Sequence, residues 1–184
     1  MDTTPGALRL YAARDRLLDG RFLLVRAIRP DDKLAIQDGL HRLSAESAYF
    51  RFFQLKRQAS PKELAYFTEL DFADHVALIA IVEGAALVVG VGRYIVCDEV
   101  ESIRAAEIAF AVDDAYHGRG IATILLRHLA KIARAAAISE FRASVLPDNH
   151  KMLRVLAHSG LPQEHTTEDG VVEVRLSLTE APAA

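Results

Sequence analysis

A change of hydrophobic period between residues 105 and 132 constrains this chain more than any other feature. From Ala105 to Val112 the residues suit a pleated strand, with Glu107, Ala109 and Ala111 on one face and Ile108, Phe110 and Val112 on the other. From Ile121 onward the apolar residues recur at helical spacing, as Ile121, Leu125, Leu129 and Ile132. The joint between them is polar and glycine-bearing: Asp113-Asp114-Ala115-Tyr116-His117, then Gly118-Arg119-Gly120. A strand feeding a long amphipathic helix through such a joint implies a layered α/β structure.

The flanking segments extend that reading. Asp19-Gly20 marks a hairpin between the apolar segments Leu8 to Leu18 and Arg21 to Ile28. Arg29-Pro30-Asp31-Asp32 ends the second segment and opens a helix whose apolar side is Leu34, Ile36, Leu40 and Leu43. Ser44-Ala45-Glu46-Ser47 caps a short helix, and Ser60-Pro61-Lys62-Glu63 starts another as a capping box. Val76 to Val82 and Ala86 to Cys97, joined by Glu83-Gly84, predict a second hairpin. Phe141 to Leu146 is a strand, and Asp148-Asn149 caps a helix that runs to about His158 and stops at Gly160. Gln163 to Thr167 and Val171 to Leu178 are two short final strands, turning at Asp169-Gly170. The expected architecture is one domain over residues 1–184, with loose ends at 1–7 and 180–184. Its sheet is mixed, largely antiparallel and of six to seven strands, with helices on both faces.

Composition excludes several function classes. A net charge of -3 leaves no electrostatic footprint for nucleic acid. The single Cys97 forbids an intrachain disulfide and a multi-cysteine zinc cluster, and His150, His158 and His165 lack metal spacing, so no metal is expected. The N-terminus has neither the basic start nor the apolar core of a signal peptide. Glu83-Gly84 divides the most apolar stretch into halves far shorter than the roughly 20 residues that span a bilayer. A cytoplasmic protein, monomeric or homodimeric, is the expectation.

Chemistry concentrates in residues 117 to 122, His117-Gly118-Arg119-Gly120-Ile121-Ala122. Two glycines let the backbone turn tightly and approach a ligand without a Cβ in the way. The first N–H groups of the following helix lack intrahelical partners and carry partial positive charge, which favours a phosphate. Arg119 can add a charge-assisted contact. A bare Gly-x-Gly is also compatible with a simple helix-entry turn. A nucleoside-triphosphate P-loop needs Gly-Lys-Ser/Thr, which does not follow here. A dinucleotide fingerprint wants Gly or Ala at the sixth place, occupied here by Thr123, and only Asp148 keeps that reading alive.

The segment resembles the acyl-CoA-binding motif of the GNAT superfamily of N-acetyltransferases, Gln/Arg-x-x-Gly-x-Gly/Ala, as His117-x-x-Gly120-x-Ala122. Arg26-Ala27-Ile28-Arg29-Pro30-Asp31-Asp32 is similar to the family's first strand and helix start. Asn149, Met152 and Gly160-Leu161 match its later Asn-x-x-Ala…Gly-Phe spacing. Residues 44 to 53 and Ala106-Glu107-Ile108-Ala109-Phe110 look closest to the acetyltransferase domain of bacterial protein lysine acetyltransferases. Two departures stand out. His117 replaces Gln or Arg, and Leu156 stands where many members carry the Tyr that protonates the leaving thiolate.

The resemblance implies direct transfer of an acetyl group from acetyl-CoA to an amine, with a protein lysine as the favoured acceptor and a small-molecule amine as the alternative. It implies a sheet splayed between the strand ending at Val112 and the strand starting at Phe141. Pantetheine would lie there on backbone near Phe110 and Val112, the pyrophosphate on residues 117 to 122, with Asn149 nearby. It further implies that Glu107 is the base that frees the amine. Read alone, Glu107 also suits an ordinary charge on a half-exposed strand, and Asn149 a plain helix cap. Arg51-Phe52-Phe53 suits packing or a wall of the acceptor side. Asp98, Glu99, Glu101, Asp113 and Asp114 suit a solvated rim or a lure for lysine. A non-catalytic acyl-CoA sensor is the rival that Leu156 keeps open.

Overall fold

Among the described residues the alternating segments become eight strands: β1 (Ala12–Arg16), β2 (Phe22–Ala27), β3 (His75–Val82), β4 (Leu87–Val96), β5 (Ala105–Val112), β6 (Glu140–Val145), β7 (Gln163–Glu168) and β8 (Val171–Ser177). The helices are α1 (Pro5–Arg9), α2 (Lys33–Arg42), α3 (Ala45–Phe52), α4 (Pro61–Thr68), α5 (Ile121–Ala135) and α6 (His150–Ala157). The structure is a computed structural model that describes residues 1–54, 58–84, 86–97 and 104–179. The sheet order is β1-β2-β3-β4-β5-β6-β8-β7. Every neighbouring pair is antiparallel except β5–β6. The count exceeds the expected six to seven because the short, charge-rich β1 pairs fully with β2.

Helices cover both faces of this sheet. The apolar side of α5 lies on β3, β4 and β5, and Ile121, Leu125, Leu129 and Ile132 are each at most 2% exposed. Burial of each such side chain stabilises the fold by about 1.5–3 kcal/mol. The helix comes this close because β4 carries glycine beneath it. A Cβ on Gly92 would lie 2.9 Å from the Phe110 ring and 3.2 Å from the Cβ of Leu125. Arg93, one residue on, points to the opposite face, where its guanidinium sits 4.9 Å from the Phe67 ring of α4.

Local signals set most helix starts. Ser44 caps α3 through the Ser47 amide at 3.1 Å. Ser60 and Glu63 form the expected capping box on α4. Pro30 to Asp32 form a single 3-10 turn leading into α2, held by a bidentate Arg26–Asp32 pair at 2.7 and 2.8 Å.

Two expectations need correction. Residues 1–7 are not simply loose: Thr4 caps α1, Pro5 occupies its first turn, and Leu8 is buried at 2% exposure, anchoring the segment to the core. Leu34 is not on the apolar side of α2 but 79% exposed. Ile36 and Leu40 are four residues apart and share a face, whereas Leu34, two residues before Ile36, falls on the far side of the helix. The tail 180–184 lies outside the described residues.

One half-buried titratable group makes stability depend on pH. The His75 ring accepts a hydrogen bond from Arg93 Nη1 at 3.2 Å, so Nε2 must hold a lone pair and the ring must be neutral. Burial and then the Arg93 charge push its pKa down from 6.5 to about 4. Between those values the unfolded chain binds a proton that the fold refuses, so stability falls as pH falls through that window. Solvent screening at this half-buried site brings the expected loss to about 1–2 kcal/mol, largely abolished in His75→Gln. Urea unfolding at stepped pH measures it, and a pH-independent midpoint would refute it.

Candidate active site

The site begins where the sheet splits. The parallel pairing between β5 and β6 covers Ala105↔Glu140, Ala106↔Phe141 and Glu107↔Arg142. Beyond it, β5 continues to Val112 on its antiparallel ladder with β4, and β6 continues to Val145 with β8. Each strand holds to its own antiparallel neighbour, and a wedge opens between them.

The ladder register decides which backbone groups face the wedge. Cys97 N–H donates to Ala105 O at 2.8 Å, and Asp113 N–H to Val89 O at 2.9 Å. Odd-numbered residues of β5 therefore point their backbone groups at β4, and even-numbered ones point them away. Past the paired segment, Phe110 and Val112 turn theirs into the wedge. The Val112 carbonyl accepts from His117 Nε2 at 2.9 Å, so its N–H is what remains for a ligand.

The loop after β5 presents an amide-lined mouth. A 3-10 turn, Asp114–Tyr116, leads to His117, then Gly118 at φ 72° and Gly120 at φ 85°. Gly120 is the N-cap of α5 and supplies no side-chain cap. The amides of Gly118, Arg119, Gly120, Ile121 and Ala122 donate to no acceptor among the described residues. Open donors and the positive end of a 15-residue helix favour an anionic diphosphate.

Two side chains differ from expectation. The Arg119 guanidinium turns away from the cleft toward Asp19 Oδ2 at 2.8 Å and Ala115 O at 3.0 Å. It fastens the loop to the β1–β2 turn and contributes to the mouth through backbone alone. Lys151, in the first turn of α6, lines the cleft with Nζ 3.4 Å from His117 Nδ1. No sequence signal marks Lys151, since only the docking of α6 beside the loop brings it there.

Asp113 and Asp114 are not a solvated rim. Asp113 is 8% exposed and binds Arg42 Nε at 2.7 Å. Asp114 accepts from the Ser44 amide at 2.9 Å, Ser44 Oγ at 2.9 Å and Ser47 Oγ at 2.8 Å. Burial alone would raise the Asp114 carboxyl, but these donors hold it below its usual value. The pair locks α2 and α3 over the loop. Asp98, Glu99 and Glu101 fall outside the described residues.

A cleft of about 490 Å³ joins these parts. Glu107 is exposed at the fork, on the face opposite α5, and Arg51 and Phe53 of the α3 region form the facing wall. Burial lowers the Arg51 pKa, while the Glu107 charge acts to raise it. Asn149 both caps α6, accepting from the Met152 amide at 3.1 Å, and lines the cleft. Leu156, 1% exposed, also lines it and offers no proton. Cys97 is half-buried and outside the cleft. Among the described residues no group of three or more His, Cys, Asp or Glu is arranged to hold a metal ion. No described helix is long and apolar enough to cross a membrane.

A parted strand pair leading to an amide-lined helix mouth accepts a long, extended carrier ending in a diphosphate; fold and site are those of an acyl-CoA-dependent acyltransferase. The comparisons agree. The model of the Acetyltransferase (GNAT) family matches residues 39–161. The chain is 34% identical over 167 residues to acetyltransferase PA5475 of Pseudomonas aeruginosa, covering 89% of this chain and 88% of that one. It is 31% identical over 141 residues to acetyltransferase Pat of Mycolicibacterium smegmatis, spanning 77% of this chain but 41% of Pat. The GNAT domain of S. lividans PAT superposes with a TM-score of 0.83 at 36% identity, covering 90% of this chain and 96% of that domain. The chain belongs to the Acetyltransferase (GNAT) family, and acetyl transfer from acetyl-CoA is its class of reaction.

Proposed function

We propose that the chain moves the acetyl group of acetyl-CoA directly to an amine, favouring a lysine ε-amine of a protein, with Glu107 as the base. The observation that carries this reading is the exposed carboxylate of Glu107 at the last paired position of β5, where the wedge opens. In this reading the amide mouth at residues 117 to 122 binds the pyrophosphate, and Phe110 with the Val112 N–H meets the pantetheine amides. The thioester carbonyl is thereby directed toward Glu107.

An amine is mostly protonated at neutral pH and must lose a proton before attack. Glu107 takes it, directly or through water. The amine lone pair then attacks the thioester carbon, a C–N bond forms, the C–S bond breaks, and CoA leaves as the thiolate. Leu156 offers the thiolate no proton, so water returns it. The ammonium gives up two protons: the first passes through Glu107 to solvent, the second leaves nitrogen as the C–S bond breaks and balances the one gained by the thiolate, and no covalent enzyme intermediate is needed. The resemblance of residues 44 to 53 and Ala106-Glu107-Ile108-Ala109-Phe110 to bacterial protein lysine acetyltransferases supports a lysine acceptor.

Mass spectrometry of a lysine-containing protein and peptide panel, incubated with acetyl-CoA and the enzyme, tests the acceptor. Acetyl-lysine formed faster than in enzyme-free controls supports the proposal. Acetyl-CoA consumption only against amines without a peptide would replace protein lysine with a small-molecule acceptor.

A further inference from the structure

A second cavity of about 370 Å³ lies beyond Glu107, and the two cavities share Arg51, Glu107 and Ala109 as walls. Its lining includes Arg93, Tyr66 and Phe67. Arg93 is only 6% exposed, yet its sole hydrogen bond among the described residues joins one of its five N–H groups to neutral His75. Among the described residues, neither Arg93 nor Arg51 forms an ion pair with a carboxylate there. Neighbouring rings hold both cations: Arg51 sits 4.9 Å from the Phe52 centroid and Arg93 4.9 Å from that of Phe67, and the two rings are 6.4 Å apart.

Cations are rarely buried without a compensating charge. Desolvation and then the Arg51 charge push the Arg93 pKa well below its ordinary value, so the site holds positive charge against a penalty that an incoming anion would relieve. Two carboxylates also line this cavity. Glu63 accepts from Ser60 N and Oγ at 2.8 and 2.9 Å in the α4 capping box. Glu107 stands at the entrance shared with the acetyl-CoA cleft.

We propose that the acceptor amine carries a carboxylate, and that Arg93, assisted by Arg51, receives this carboxylate while Glu107 receives the amine. The inference rests on the reading of Glu107 as the base. The amine and the carboxylate of such an acceptor then match the order of charges along the walls, an acid at the fork and two guanidiniums behind it. A buried guanidinium meeting a carboxylate in two parallel hydrogen bonds discriminates strongly against a neutral isostere. The carboxylate has two sources: an acidic side chain beside the target lysine, or the acceptor's own carboxyl group.

Both sources are read in one experiment. Initial rates are measured for lysine peptides flanked by Glu or by Gln, and for free lysine against cadaverine, with the wild type, Arg93→Lys and Arg51→Gln. The wild type should favour at least one carboxylate-bearing acceptor by roughly 10-fold or more in kcat/KM, chiefly through KM, and the variants should lose most of that preference, with acetyl-CoA affinity unchanged in Arg93→Lys, whose side chain lies outside the acetyl-CoA cleft. A preference among peptides assigns the neighbouring side chain, and one among free amines assigns the acceptor's own carboxyl. Equal rates with and without the carboxylate, or a preference retained in both variants, would overturn the subsite while leaving amine acetylation intact. Calorimetric binding of Nε-acetyl-lysine against N-acetylcadaverine to the CoA complex reads the same contact without turnover. Equal affinities there would also overturn it.

Discussion

Replacing Glu107 with Gln will slow acetyl transfer by roughly 10²-fold or more and leave CoA affinity close to that of the wild type. Glutamine keeps the shape and the hydrogen-bonding reach of the side chain but cannot take a proton. The side chain is exposed and the strand pairing at Glu107↔Arg142 is made by backbone, so melting should barely move. The loss should appear in kcat more than in the KM for acetyl-CoA, because the carboxylate acts at the acceptor end of the wedge. Steady-state rates at saturating acetyl-CoA and calorimetric CoA binding check the two halves separately. A rate within threefold of the wild type would remove Glu107 from the chemistry.

The second large effect is expected at the helix mouth. Gly120 holds φ at 85° as the N-cap of α5, a conformation that a β-branched residue resists by about 1–3 kcal/mol. Gly120→Val must either bear that strain or turn the peptide, and turning it re-aims the amides of Ile121 and Ala122. A weakening of acetyl-CoA binding by about 10- to 100-fold follows. A lower melting temperature should accompany it through the strain of the positive φ, since the new Cβ itself would meet Leu18 only at an ordinary contact distance of 3.6 Å. At saturating acetyl-CoA the rate should recover, because Glu107 lies at the far end of the wedge. Unchanged affinity would show that the diphosphate does not rest on these amides.

These effects were expected from sequence because their causes are local. The switch of period between Val112 and Ile121, the two glycines of the joint and the alternation of β5 all act within a few residues, and β5 spans the expected range. The capping boxes and tight turns behave likewise, as Ser60-Glu63 and the Asp19-Gly20 hairpin do. The role proposed for Glu107 comes only through resemblance, since an isolated glutamate on a half-exposed strand has no spacing that marks it as a base.

Contacts between distant segments were not legible. Arg119 reads as a phosphate ligand until Asp19, 100 residues earlier, takes its guanidinium. Asp113 and Asp114 read as surface charge until Arg42, Ser44 and Ser47 close on them. Lys151 enters the cleft only because α6 docks beside His117. No sequence signal marks Arg93, and its burial beside Arg51 depends on α3 and α4 covering that face of the sheet.

From sequence alone come the elements, their order and the amide mouth, because hydrogen bonding and side-chain periodicity act between near neighbours. Tertiary structure alone decides where the sheet splits, which charges are already partnered and that Arg93 stays buried without a carboxylate partner among the described residues. Those outcomes depend on groups that meet only when strands and helices far apart in the chain are packed together.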